Sequence, residues 1–401
     1  MGLDLSQTAA QLYGAATYFS GQRLSKMDAL ARAAEYLRNA DTDAIEQRRV
    51  DGKTTFLAAG LTGPMAEAWP TPALATDHVV VAVDGSHIDV DRHSPVRCFL
   101  INTGYVTICY GERPSAELSS IPRLFVGDDE MVIRNPAGNR EQPIEGPVLG
   151  MLRAVMEIEG LVALVETAPA DLPVLALLDG SLILWELAGG AFPDYVRNAL
   201  LDDRLLPALD RLQELGQTRT LAVASQISLP RSTDVINALR ISKPVCLWST
   251  LNCDGNCGSL KRGNRHCDSI AGVTDRELFE AILQPGERSA VFETTSSISQ
   301  ERYGGHRVQF CYINVGEEIC RLEIPKWSAS GPALKLAHAG IISQAEKGHG
   351  YPLAIQEAHE QAVVNGTDRE YFAQLVEEML NAEGLPTGTS QKARSKRTRW
   401  V

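Results

Sequence analysis

The chain has 401 residues, 44% hydrophobic and 22% charged, with a formal net charge of −12. The length suffices for one large domain with extensions or two ordinary ones, and the composition is that of a soluble globular protein. A surface basic throughout is excluded, as is any apolar run long enough to cross a bilayer, so no membrane span is expected and nucleic acid would have to meet local patches.

The N-terminal stretch "MGLDLSQTAAQLYG" lacks the basic and apolar regions of a secretory signal. A cytoplasmic location with reduced thiols is therefore expected, and the eight cysteines are not expected to form a disulfide framework. Residues 1–48 read as helical, with Ala and Leu recurring every three or four positions in "MDALARAAEYL"; 49–78, rich in Gly, Pro and Thr, reads as a linker closing this N-terminal extension. Strands are expected at 79–84, 96–102 and 105–110, with Thr103-Gly104 as a turn, giving an antiparallel meander. Residues 111–147 read as a long polar connection. "GMLRAVMEIEGLVALVE" then makes a helix with an apolar stripe of Leu149, Leu152, Val155, Met156 and Val162.

The run "PVLALLDG" suits a central strand buried on both faces, followed by a helical stretch at 194–215 and the strand "TLAVASQ". This order predicts an α/β fold built on a mixed sheet, meander plus parallel strands, flanked by helices. A cysteine-bearing insertion occupies 242–270. Thr274 and Glu277 read as a capping box, strands follow near 288–294, 306–314 and 318–324, and the end is helical, with Pro352 starting one helix and Thr367 with Glu370 capping the next. The acid-free stretch from Thr387 to Val401, within 386–401, reads as a basic, disordered tail.

Two strands run into the same tripeptide, Asp84-Gly85-Ser86 and Asp179-Gly180-Ser181. A carboxylate at the C-terminal edge of a strand, with a Gly to turn the backbone, is where α/β sites commonly lie. If the strand after the helix returns beside the first, Asp84 and Asp179 become neighbours. The intervening helix carries Arg153 and Glu157 one turn apart, with Glu157 able to reach inward and Arg153 able to pair with it or with a phosphate. Three converging carboxylates need a cation, and oxygen ligands suit Mg²⁺ or Mn²⁺. Two such ions about 3.5–4 Å apart support phosphodiester hydrolysis. His359 shares a helix face with Ile355, Ala358 and Ala362 and is expected to point inward, with Tyr351 near the same helix start; such a His can ligate metal, orient water or shuttle a proton.

With these residues in order, the sequence resembles the NurA nuclease family. The matching features are "VAVDGS" with Asp84, "LRAVMEIE" with Arg153 and Glu157, "LALLDGSLI" with Asp179, "RLEIPKW" near Trp327, and "GYPLAIQEAHE" with Tyr351 and His359. The resemblance spans roughly 79–364, within a nuclease domain expected over 79–385. It implies an RNase H-like core and a Mn²⁺-dependent DNA nuclease that digests 5′ ends and cuts single strands. It further implies a ring-shaped homodimer working with the hexameric translocase HerA in processing double-strand-break ends. Asp84, Glu157, Asp179 and His359 would hold metal, with Tyr351 and Arg153 completing the site.

There are departures from that pattern. Gln226 stands where many relatives carry Lys. The insertion holds Cys246, Cys253, Cys257 and Cys267 beside His266, a second candidate metal set for Zn²⁺ or an iron–sulfur cluster, although the diagnostic CxxC pairs are absent. Its Lys261, Arg262 and Arg265 are candidate phosphate contacts. Cys98, Cys109, Cys311 and Cys320 are expected to be buried in strands. Two rival readings are a non-catalytic subunit that keeps the fold, and an actin- or sugar-kinase-like phosphotransferase, which lacks its usual Asp-x-Gly loops here.

Overall fold

The structure, a computed structural model, describes residues 4–90 and 96–385. The expected disordered tail at 386–401 lies outside the described residues. The chain folds into two compact units, each assembled from separate stretches of sequence.

The unit formed by Pro72–Gln226, Glu301–His306 and Ile324 onward carries the carboxylates. Its sheet holds β1 (His78–Ile88), β2 (Phe99–Tyr110), β3 (Ser115–Phe125), β4 (Val174–Asp179) and β5 (Leu221–Ile227). The order is β3-β2-β1-β4-β5, with β1, β2 and β3 antiparallel in sequence and β1, β4 and β5 parallel. A three-strand meander with a returning parallel pair is the RNase H-like arrangement. The central runs Val79–Val83 and Val174–Leu178 are sealed on both faces, which is why they read as unbroken apolar stretches.

Three local expectations are corrected. The strand after residue 78 does not end at Asp84; it runs through the first Asp-Gly-Ser to Ile88, with Asp84 paired to Gly104. Thr103-Gly104 is no turn but the middle of one continuous strand, β2. The connection at 111–147 contains β3, whose residues are exposed except Phe125, and a short pairing of Val132–Arg134 with Glu141–Pro143. A strand exposed this fully lacks apolar alternation, and Pro122 within it suits only the sheet edge.

Helix α1 (Pro147–Thr167), with Pro147 in its first turn, covers one face of β1 and β2. Tyr105 and Val83 come so close to Gly160 that a Cβ there would lie 2.9 and 3.2 Å from them. Helices α2 (Leu206–Thr218), α3 (Gly331–Lys347), α4 (Leu353–Ala362) and α5 (Gly366–Ala382) also belong to the unit. α4 packs against β1 and β2 at Gly104, the residue paired with Asp84 and next to Tyr105, so it lies on the face opposite α1. α5 is capped by Asn365 and Asp368, not Thr367 and Glu370: Asn365 is extended and accepts from Asp368 N at 3.0 Å, while the Asp368 carboxylate accepts from Asn365 N at 2.9 Å.

The other unit joins the helices Leu5–Arg38 and Thr42–Asp51 to residues 227–300 and 307–323 around a core that includes Leu37, Ile45, Phe279, Phe292, Phe310 and Tyr312. Thr274 and Glu277 form the expected capping box. Cys311 and Cys320 are buried in strands; Cys109 is only half-buried, and Cys98 is buried just before β2.

Candidate active site

The two Asp-Gly-Ser segments hold their carboxylates by different means. Asp84 sits within β1; its Oδ1 accepts from Gly85 N at 2.8 Å and its Oδ2 lies 2.8 Å from His359 Nδ1. Asp179 is the last residue of β4, followed by Gly180 at φ +87°, a turn that a side chain would strain, and its Oδ1 accepts from the Tyr351 hydroxyl at 2.7 Å. The parallel pairing of Val83 with Leu178 brings the two segments alongside one another.

Glu157 enters from α1. Gly85 makes room for it, because a Cβ at that position would stand 2.7 Å from Glu157 Oε1 and 2.8 Å from Arg153 Cγ. Arg153 donates to Gly85 O at 2.9 Å, and its Nε lies 3.3 Å from Glu157 Oε1. That last pair is close but misaligned, so both atoms are buried without a hydrogen bond among the described residues. Burial pushes the Glu157 carboxyl up to about 8; Arg153 opposes this, while the charges of Asp84 and Asp179 add to it.

A carboxyl raised on folding contributes its full stability only below its unfolded pKa. As pH rises from about 4.5 to about 8 the unfolded chain loses that proton first, and stability falls. Glu157→Gln keeps the neutral shape, so in chelator the variant is expected to melt above the wild type at pH 8.5, by an amount on the order of a few kcal/mol, with the gap closing toward pH 4.5. A variant that melts below wild type at pH 8.5 contradicts this.

His359 does not point inward as expected. Ala354, Ile355, Ala358 and Ala362 form the buried face of α4, and His359, about 100° around the helix from Ala358, stands at the flank with its side chain 60% exposed. It meets Asp84 because α4 lies so low on the sheet. Ser86 Oγ and Asn102 Nδ2 both donate to Ala362 O, fixing the end of that helix. Tyr351 is set by a tight turn in which a Cβ on Gly348 would overlap Tyr351 O at 1.9 Å.

Among the described residues no group of three or more His, Cys, Asp or Glu side chains stands close enough to hold a single metal ion. The donor set still suits a divalent cation: the Glu157 carboxyl feels the charges of Asp84 and Asp179, and its Oε1 is buried with no hydrogen bond among the described residues. Sequence reasoning passed over His87, two residues along the strand from Gly85 on the same face. Among the described residues its Nδ1 is buried without a partner, and burial, then Arg153, holds its pKa down. The signal was the alternation in "DGSHI". Gln226 pairs in register with Asp179, fully buried, with neither amide atom bonded among the described residues.

Three comparisons bear on this arrangement. The family model for the NurA domain matches residues 78–364. No curated protein matches the chain in sequence. Among solved structures, the chain is similar to Ciona intestinalis endonuclease V in complex with a 24mer DNA, at 11% identity, covering 85% of this chain and 99% of that one, TM-score 0.31. It is also similar to the prototype foamy virus protease-reverse transcriptase (17% identity, 38% of this chain and 18% of that one, TM-score 0.21) and Aquifex aeolicus Argonaute (10%, 71% and 28%, TM-score 0.26). The chain thus spans less than a third of the latter two, and likenesses this distant carry no inference about activity.

Proposed function

The chain belongs to the NurA family of nucleases, and from that premise we propose that it hydrolyses DNA phosphodiester bonds with a divalent metal held by Asp84, Glu157 and Asp179. The observation that carries this is the Glu157 carboxyl, whose Oε1 is buried with no hydrogen bond among the described residues and whose pKa is raised by burial, with the two aspartates adding to it. Bound there, Mn²⁺ or Mg²⁺, as one ion or a pair, would supply charge stabilisation and a water acidic enough to attack phosphorus.

The protein's own groups have separable tasks. Tyr351 holds the Asp179 carboxylate in one orientation through its 2.7 Å hydrogen bond. His359 is fixed through Nδ1 by Asp84, which leaves Nε2 to accept or deliver a proton or to take a metal ligand position. Arg153, anchored to the Gly85 carbonyl and paired with Glu157 through Nε, offsets the carboxylate charge, and the exposed part of its guanidinium can meet a phosphate oxygen.

The family resemblance supports the finer reading: 5′-end-directed exonuclease and single-strand endonuclease activity, a homodimer, and a HerA-type hexameric ATPase as partner in double-strand-break processing. End-labelled single-stranded and duplex DNA incubated with Mn²⁺, Mg²⁺ or chelator tests the activity. Cleavage is expected with metal and not with chelator; intact DNA under every metal condition overturns the proposal. In the same assay Tyr351→Phe is expected to lower kcat by roughly tenfold, the worth of a hydrogen bond to a charged group, without lowering Tm by more than a degree or two. Unchanged kcat would remove Tyr351 from the site.

A further inference from the structure

We propose that Cys246, Cys253, Cys257 and Cys267 form a four-thiolate metal centre, of the chemistry that holds Zn²⁺ or an iron–sulfur cluster, in the unit that does not carry the carboxylates. The four residues come from separate local structures. Cys246 follows the helix Asp234–Arg240, Cys253 and Cys257 begin and end one helical turn, and Cys267 lies in the short turn His266–Ile270. All four nonetheless line one small pocket, together with Phe56, Trp248, Arg240 and Arg265. None is in a disulfide.

Positions 253 and 257, four apart on a helix, project from the same side. Cys246 is buried in one apolar cluster, and the half-buried Cys253 and Cys267 pack against it. The backbone that presents them is tied down in advance. Lys53 and Cys253 are bridged by Lys53 N to Leu251 O and Cys253 N to Lys53 O, both 2.9 Å. Arg48 donates to Ile241 O at 2.8 Å and Cys246 O at 3.3 Å, and Arg240 to Cys267 O at 3.2 Å and Cys267 Sγ at 3.5 Å.

Four thiolates around Zn²⁺ or an iron–sulfur core leave net negative charge, and two cations line the same pocket: Arg240, which also pairs with Asp268 at 3.7 Å, and Arg265, whose Nε is buried without a hydrogen bond among the described residues. Each thiol gives up its proton on ligation. As the side chains stand the thiols do not converge on a single point. A zinc ion would draw them in by side-chain rotation, whereas a cluster bridges a wider set.

The full-length protein, purified without oxygen and reconstituted with either Zn²⁺ or iron and sulfide, is analysed for metal and acid-labile sulfide. About one zinc per chain, or two to four irons with matching sulfide and a visible absorption band, is expected and tells the two sources apart. Cys253→Ser with Cys257→Ser is expected to lose the metal and Cys109→Ser to keep it. Should the double variant fail to fold, alkylation of the wild type decides: the four thiols are expected to resist iodoacetamide until a chelator is added. Absence of stoichiometric metal after both reconstitutions, retention in the double variant, or equal alkylation with and without chelator overturns the proposal. None of these readouts depends on nuclease activity.

Discussion

Asp84→Asn is expected to lower metal-dependent DNA cleavage by about 10³-fold or more, since a bound metal contributes several kcal/mol of charge stabilisation and each 1.36 kcal/mol is tenfold. Asn keeps the size of Asp84 and can still bond His359, so folding should survive. The substitution removes one negative charge beside the Glu157 carboxyl, which burial raises and the Asp84 charge raises further. A variant with native circular dichroism and Tm but no cleavage supports the assignment; one that digests DNA as fast as wild type contradicts it.

Gly104→Ala is expected to damage the site from beneath. The new Cβ would lie 2.3 Å from Ala358 O and 2.7 Å from Ala362 N, both backbone atoms of α4 that no rotamer change can clear. The helix must lift or the strand must bow, at a cost of about 1–3 kcal/mol or more. Because α4 carries His359, activity should fall further than stability alone explains. Gly150→Ala is the control: it lies in α1 with nothing within 4 Å of the added carbon, and stability should hold or rise slightly. A Tm for Gly104→Ala equal to wild type would show that α4 does not rest on the strand as described.

The contrast between Gly104 and its sequence context explains what was legible in the chain. Apolar runs such as Val79–Val83 and Val174–Leu178 announce buried strands, and their order predicted the neighbouring aspartates and the mixed sheet. Thr103-Gly104 looked like a turn because a glycine between strand-forming residues has two readings, a bend or a close approach, and only the packed helix distinguishes them. β3 went unread for the opposite reason: an exposed edge strand has no face to bury and so no alternation to detect.

The candidate site shows the same division. Asp84, Glu157, Asp179, Arg153, Tyr351 and His359 lie in one unit, and bonds link Asp84 to His359 and Asp179 to Tyr351. Periodicity put His359 on the buried face, yet a helix pressed this close to a sheet lets a flanking side chain reach over the strand while staying wet. The difference between the two Asp-Gly-Ser segments was hidden altogether. One glycine turns the chain at positive φ, and the other lies flat within a strand so that Glu157 can approach.

Manganese binding, followed by calorimetry or by the loss of the free-ion paramagnetic resonance signal, tests the central claim without any substrate. Wild type is expected to bind Mn²⁺ at the carboxylates, and the Asp84→Asn, Asp179→Asn protein, folded by circular dichroism, to lose that binding. Equal affinity and stoichiometry in the two proteins would contradict a metal site built from Asp84, Glu157 and Asp179.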